Sequence, residues 1–263
     1  MTSRTPIYLP ETTAAAWQLD WSLTVFWRKA SFSDDWLDDL RTSLEPDGIR
    51  VLEHRFSQLD RSLFLLSTTP SVTPTHVIHR VKGRLQHLVR ARWPSALRRN
   101  YDLHSVGSTR RDKTEQYVAT QLPHHFPDDP DQRAVLFDLQ IVNPELDLSQ
   151  PRFTAHGRYR CNLHMVLVHE DRWRQTKSAV HEQVRAMIRR ASGSKGHLLS
   201  RLGVLPDHLH LVLGFSPDES PQEIALSYMN NIAYVYRMAP VLKPSYYVGT
   251  IGEYDLGALA KHR

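Results

Sequence analysis

An α+β fold built of two similar units in tandem is what this sequence predicts, and three observations lead there. Short runs with strand character alternate with segments of helical periodicity along most of the chain. A pattern of strand, turn and helix start comes back about 147 residues later. The 263 residues, 41% hydrophobic and 23% charged, have a globular composition and are long enough for a sizeable core.

In order along the chain, WSLTVFW (Trp21 to Trp27) reads as a mostly buried strand. Asp34 to Leu44 sets Leu37, Leu40 and Leu44 at helical spacing, and Gly48 to Phe56 and Ser62 to Ser67 read as two strands. Thr73 is placed as an N-cap with Pro74 at the first helical position, opening a basic helix through about Arg92. Arg98 to Leu122 reads as a short strand, a turn at Gly107 and a helix bearing Tyr117. Residues 123–158 are rich in Pro, Asp and His and read as a linker in which only Ala134 to Val142 looks ordered. The pattern restarts at Tyr159. CNLHMVLVH is a strand, Gln175 to Ala191 an amphipathic helix with Val180, Val184, Met187 and Ile188 inward, and LPDHLHLVL (Leu205 to Leu213) follows. Ser220, Pro221 and Glu223 form a capping-box start to a helix ending near Met238. The expected division is therefore a first repeat over 1–122, a linker over 123–158 and a second repeat over 159–263.

The repeat rests on positions more than on identities. At an offset of 147, Asp60 falls on Asp207, Leu66 on Leu213, Pro70 on Pro217, Pro74 on Pro221 and Arg90 on Arg237. At 145, Tyr101 falls on Tyr246, Val106 on Ile251 and Gly107 on Gly252. The matched residues are the punctuation around a strand and a helix start.

Charge and cysteine usage narrow the function. The formal net charge of +5 and a pI near 9.4 favour an anionic partner, nucleic acid first. The single cysteine, Cys161, excludes an internal disulfide framework and a thiolate metal cluster, and fits a reducing cytoplasm. Neither a signal-peptide pattern nor an apolar run of about 18 residues is present, so secretion and membrane insertion are not expected.

The chemistry concentrates in LPDHLHLVL. A strand's side-chain period of two sends His208 and His210 out of one face while Leu209 enters the core, and two neutral imidazoles side by side can ligate a divalent metal. At an offset of 147 these histidines fall on Arg61 and Leu63, and at 145 Tyr117 falls on His262. Each half lacks what the other has. His164 and His169 are expected as packing or edge residues, and His124 with His125 as a weak metal motif that is set aside.

These residues resemble the HUH-type single-tyrosine transposases of small insertion sequences, including the REP-associated tyrosine transposases. The resemblance lies in PDHLHLVL, in YYVGTIG and NYDLHSVGS, and in the helix motif Tyr117-Val-Ala-Thr-Gln121. It implies a metal site of His208, His210 and Gln121, Mg²⁺ or Mn²⁺ as cofactor, and Tyr117 as the nucleophile of a covalent 5′-phosphotyrosine intermediate. It also implies single-stranded hairpin DNA as substrate. The one full site that can be assembled is composite, tyrosine from the first repeat and histidines from the second. Elementary chemistry agrees: Tyr117 and Gln121 share a helical face, and a phenol of pKa about 10 needs a charged centre beside it to attack phosphorus. Arg80, Lys82, Arg84, Arg90, Arg98, Arg99, Arg110 and Arg111 are the candidate phosphate contacts. The expected molecule is two ferredoxin-like or RRM-like units in tandem, antiparallel sheets covered by helices on one face. It would be a monomer serving as its own pseudo-dimer, with higher assembly allowed, in the cytoplasm at the nucleoid. The alternative is an inactive, domesticated relative that binds structured single-stranded DNA.

Overall fold

The computed structural model describes residues 5–29, 33–58, 60–121 and 130–253. The first half contributes β1 (Ala14–Gln18), β2 (Asp20–Trp27), α1 (Leu37–Leu44), β3 (Ile49–Gln58), β4 (Arg61–Thr68), α2 (Pro74–Val89), β5 (Leu97–Val106) and α3 (Arg111–Thr120). Then come α4 (Pro130–Leu139), β6 (Ile141–Val142), β7 (Arg152–Phe153) and β8 (Gly157–Arg160). The second half adds β9 (Asn162–His169), α5 (Ser178–Lys195), β10 (Leu198–Val204), β11 (His208–Gly214), α6 (Pro221–Val235) and β12 (Leu242–Thr250).

Two six-stranded sheets result, ordered β3-β4-β2-β5-β8-β7 and β1-β12-β9-β11-β10-β6. Within each, four strands and two helices run βαββαβ, the ferredoxin-like order, with β2 or β9 central between antiparallel neighbours. The fifth strand of each sheet comes from elsewhere in the chain. β1 lies parallel to β12, and β8 lies parallel to β5. Only Leu19 separates β1 from β2 and only Cys161 separates β8 from β9, and both residues are fully buried. Each pair is one long strand that leaves one sheet and enters the other.

Local chemistry explains the elements. In β2, Trp21, Leu23 and Val25 are buried completely, and the Trp21 indole donates to Thr68 Oγ1 at 3.0 Å, so the ring is buried without an orphaned N–H. Thr73 Oγ1 accepts from the His76 amide at 3.1 Å and Pro74 opens α2, whose Val77, Ile78, Val81, Leu85 and Val89 face inward. Ser220 and Glu223 close a complete capping box on α6. One continuous apolar core joins both halves, with Trp21 edge-on to Phe215 at 6.4 Å.

Several expectations shift. β1 was not foreseen, because AAAWQ has little strand propensity and is half exposed; the free edge of β12 recruits it. The segment expected as a linker holds helix α4, a strand β6 that extends the second sheet, and strands β7 and β8 that extend the first. α2 stops at Val89, three residues before the expected end. His124, His125 and His262 lie outside the described residues. No helix among the described residues is long and apolar enough to cross a membrane.

The contacts between the halves come in reciprocal pairs. Thr75 N donates to Pro217 O, and Gln222 N, 147 positions on, donates to Pro70 O, both at 2.9 Å. Ser105 Oγ donates to Ile251 O at 2.7 Å while Thr250 Oγ1 donates to Val106 O at 2.5 Å. Asp20 N donates to Thr250 Oγ1 at 2.8 Å and Asn162 N to Ser105 Oγ at 3.1 Å. Residue i touching j while the equivalent of j touches the equivalent of i is the signature of an isologous contact.

Burial also sets an acid sensitivity. Burial pushes the imidazoles of His169, His181 and His197 down, and those of His54 and His164 down to about 4. Each is depressed in the fold, so its stability is intact above the ordinary value of about 6.5 and falls as pH drops from there towards about 4. Urea midpoints are expected to decline across that window. His54→Phe should flatten the decline, because His54 sits among Trp36, Phe56 and Phe64 and the apolar ring needs no proton. An unchanged slope in that variant would remove His54 from the account.

Candidate functional site

Every residue of β11 is buried. Leu209, Leu211 and Leu213 enter the core, while His208, His210 and Val212 leave the other face. That face is covered as well, because α3 crosses the second sheet over β10 and β11. Val118 packs with Leu148, Val212 and Ile251. Beside it the buried Glu115 carboxylate accepts from Ser200 Oγ on β10 and, at 2.8 Å, from Arg111 Nη1. A buried carboxylate is costly without such partners, so the pairing fixes where α3 can dock. The expected covering of the sheets by helices on one face thus gains, on the second sheet, a helix on the opposite face.

α3 brings Tyr117 to the histidines. Its ring stands edge-on to His210, centroids 5.9 Å apart and planes at 86°. Tyr117 is 52% exposed, and among the described residues its hydroxyl has no hydrogen-bond partner. The rings of His208 and His210 are 5.0 Å apart. His208 Nδ1 lies 2.6 Å from Asp207 Oδ1, and Asp207 also accepts from Arg172 Nη1 at 3.2 Å. Burial works against the Asp207 charge, but the hydrogen bonds from His208 and Arg172 and the Arg172 guanidinium charge outweigh it and hold the carboxyl below its usual range. His210 Nδ1 lies 2.9 Å from His164 Nε2, the two rings stacked at 15°. Tyr247 of β12 abuts the far side of His164 at 6.0 Å.

Gln121, one turn after Tyr117 at the C-cap of α3, is 1% exposed. Among the described residues both of its amide atoms are buried without a partner. An unpaired buried amide costs about 1–3 kcal/mol and calls for an absent group. Among the described residues no three His, Cys, Asp or Glu side chains are grouped to hold a metal. The Gln121 amide oxygen, orphaned among the described residues, has the donor chemistry that a metal held by His208 and His210 would accept.

The basic residues are mostly engaged. Arg84 is paired with Asp47, and Arg80 reaches the same carboxylate at 3.6 Å. Lys82 donates to the carbonyls of Arg99 and Asn100 at 2.6 and 2.9 Å, and burial pushes its ammonium down to about 8. Arg98 donates to Trp27 O at 3.0 Å, Arg110 pairs with Asp112 and Glu253, and Arg111 serves Glu115. Arg90 and Arg99 are exposed and carry no ion pair among the described residues. The sequence reading missed His164 as a partner of His210. Its place in the strand CNLHMVLVH was legible, but its neighbour is set by how β9 pairs with β11.

Comparison with known proteins bears on the half that holds the histidines. Residues 157–261 match the family model described as "Transposase IS200 like". The IS200-like segment contains His164, Asp207, His208, His210 and Tyr247, whereas Tyr117 and Gln121 reach it from outside. None of the curated proteins matches the chain. Among solved structures, a putative transposase from Deinococcus radiodurans is similar at 20% identity and a TM-score of 0.32, over 38% of this chain and 86% of that one. A putative glycine cleavage system transcriptional repressor matches at 10% identity and a TM-score of 0.24, over 89% of this chain and 98% of its own. A protein from Galdieria sulphuraria matches at 9% and 0.22 over the same shares. Likenesses this slight bear on neither fold nor chemistry.

Proposed function

We propose that the chain is a metal-dependent single-stranded DNA transesterase, a transposase-type nickase acting beside a DNA hairpin with one composite site per chain. The observation that carries this reading is the Tyr117 ring against His210, which joins the helix outside the IS200-like segment to the histidine strand inside it. A divalent ion, Mg²⁺ or Mn²⁺, held by His208, His210 and Gln121 would offset the charge that develops on the scissile phosphate. Tyr117 supplies the attacking oxygen from an exposed position. Its phenol oxygen bonds to phosphorus as the bond to the 3′ oxygen breaks, leaving a 5′-phosphotyrosine and a free 3′-hydroxyl. The phenol proton passes to solvent and the departing oxygen takes one up. Reversal rejoins the strand without ATP, because the ester is conserved. Arg90 and Arg99, exposed and without an ion pair among the described residues, are the basic residues most available for phosphate contacts.

The reciprocal contacts support reading the two halves as a fused dimer in which one site has been given up: Arg61 and Leu63 occupy the positions of His208 and His210 in the first sheet. The place of action would be the cytoplasm, at nucleoid DNA. To test the reading, the full chain is incubated with 5′- and 3′-labelled hairpin oligonucleotides and Mn²⁺, and a denaturation-resistant adduct is sought and mapped by mass spectrometry. An adduct at Tyr117 is expected. DNA binding without an adduct under any divalent metal would favour the inactive hairpin-binding alternative.

A further inference from the structure

We propose that His164 and Asp207 are positioning residues that hold the rings of His210 and His208 by Nδ1, so that Nε2 is the nitrogen each offers to the metal. The inference rests on the reading above that His208 and His210 are ligands.

An imidazole coordinates through one nitrogen, and the hydrogen bond made by the other decides which. At His208 the choice is made by Asp207, whose Oδ1 lies 2.6 Å from Nδ1 and whose own place is fixed by Arg172. The carboxylate accepts, so Nδ1 carries the proton and Nε2 the lone pair. At His210 the same task falls to His164 Nε2, 2.9 Å from His210 Nδ1. With His210 donating from Nδ1, His164 accepts at Nε2 and keeps its own proton on Nδ1.

The sheet builds this contact deliberately. β9 and β11 pair so that His164 lies opposite Val212 and His210 opposite Val166, which makes the two histidines diagonal neighbours on one face. A slip of one residue would send His164 into the core. On its other side His164 is opposite Gly249 of β12, over which the Tyr247 ring is folded. A Cβ at Gly249 would stand 2.5 Å from the Tyr247 hydroxyl oxygen, so the glycine makes the slot that lets Tyr247 wall in His164.

The other half supplies an internal control. In the first sheet Ser22 pairs with Leu65 and with His104, as His164 pairs with Val212 and Gly249. Ser22 therefore stands where His164 would, beside Leu63 in place of His210. The supporting imidazole and the ligand are present together in one half and absent together in the other.

The test uses the full chain and Mn²⁺ alone, with affinity read by electron paramagnetic resonance and ring tautomers by ¹⁵N imidazole spectra of the metal-free protein. His164→Ala and Asp207→Ala are each expected to weaken Mn²⁺ binding by about 10–100-fold. His164→Gln, whose amide oxygen can accept the same bond, is expected to recover most of it. The spectra should show His210 protonated at Nδ1 in the wild type and as a tautomer mixture in His164→Ala. If His210→Ala abolishes binding while His164→Ala changes neither affinity nor tautomer, the positioning role is overturned and the metal reading stands. If His210→Ala leaves binding unchanged, the metal reading itself fails.

Discussion

Tyr117→Phe is expected to lower the yield of covalent DNA adduct by on the order of 10⁴-fold or more, the scale of losing a nucleophile. Hairpin affinity should stay within about twofold. The ring that packs on His210 is retained, and the hydroxyl has no partner among the described residues, so its removal strands no buried group. Quenched single-turnover reactions run on denaturing gels would measure the adduct, with binding followed by fluorescence anisotropy. An adduct of undiminished yield in the phenylalanine variant would place the nucleophile elsewhere, whereas loss of binding together with the adduct would point to a misplaced helix α3.

The second large effect is expected far from any imidazole. Gly107 N donates to Gly252 O at 3.2 Å where the two halves meet. A methyl group on Gly252 would collide with the Ser105 carbonyl oxygen, and one on Gly107 would stand 2.7 Å from that of Thr250. Both obstacles are backbone, so neither can swing aside. Gly252→Ala should cost about 3 kcal/mol or more, the upper range for overpacking. It should also loosen α3, because the adjoining Ile251 packs with Val118. Gly83→Ala is the control of opposite sign: it lies inside α2 with nothing within 4 Å of the added carbon, and should gain roughly 0.5–1 kcal/mol. Urea melts of the three proteins decide the matter, and a neutral Gly252→Ala would mean that the halves can slide apart to admit a methyl group.

What could be read from the sequence was local or periodic. The caps at Thr73 and Ser220 are written in three or four consecutive residues, and the structure has both. The period of two put His208 and His210 on one face, which they share. The two offsets that aligned Pro70 with Pro217 and Gly107 with Gly252 picked out residues that all bond across the contact between the halves. Non-local pairing stayed hidden. Nothing in AAAWQ says that it will join β12, and nothing near Arg84 says that Asp47 will claim it. The burial of the histidine face was equally illegible, since it depends on Glu115 finding Ser200 from 85 residues away. His164 was seen as a strand residue, and its importance emerged only from its neighbour across the sheet.

The two strands that change sheets at Leu19 and Cys161 bear on dilution. In an assembly of separate chains, a tyrosine lent by one and histidines lent by another would part as protein concentration fell below the dissociation constant. Here the lender and the borrower are one polypeptide, laced together at two crossings, so the tyrosine meets the histidines at an effective concentration set by the chain's own geometry. The yield per molecule should then be the same at nanomolar as at micromolar protein.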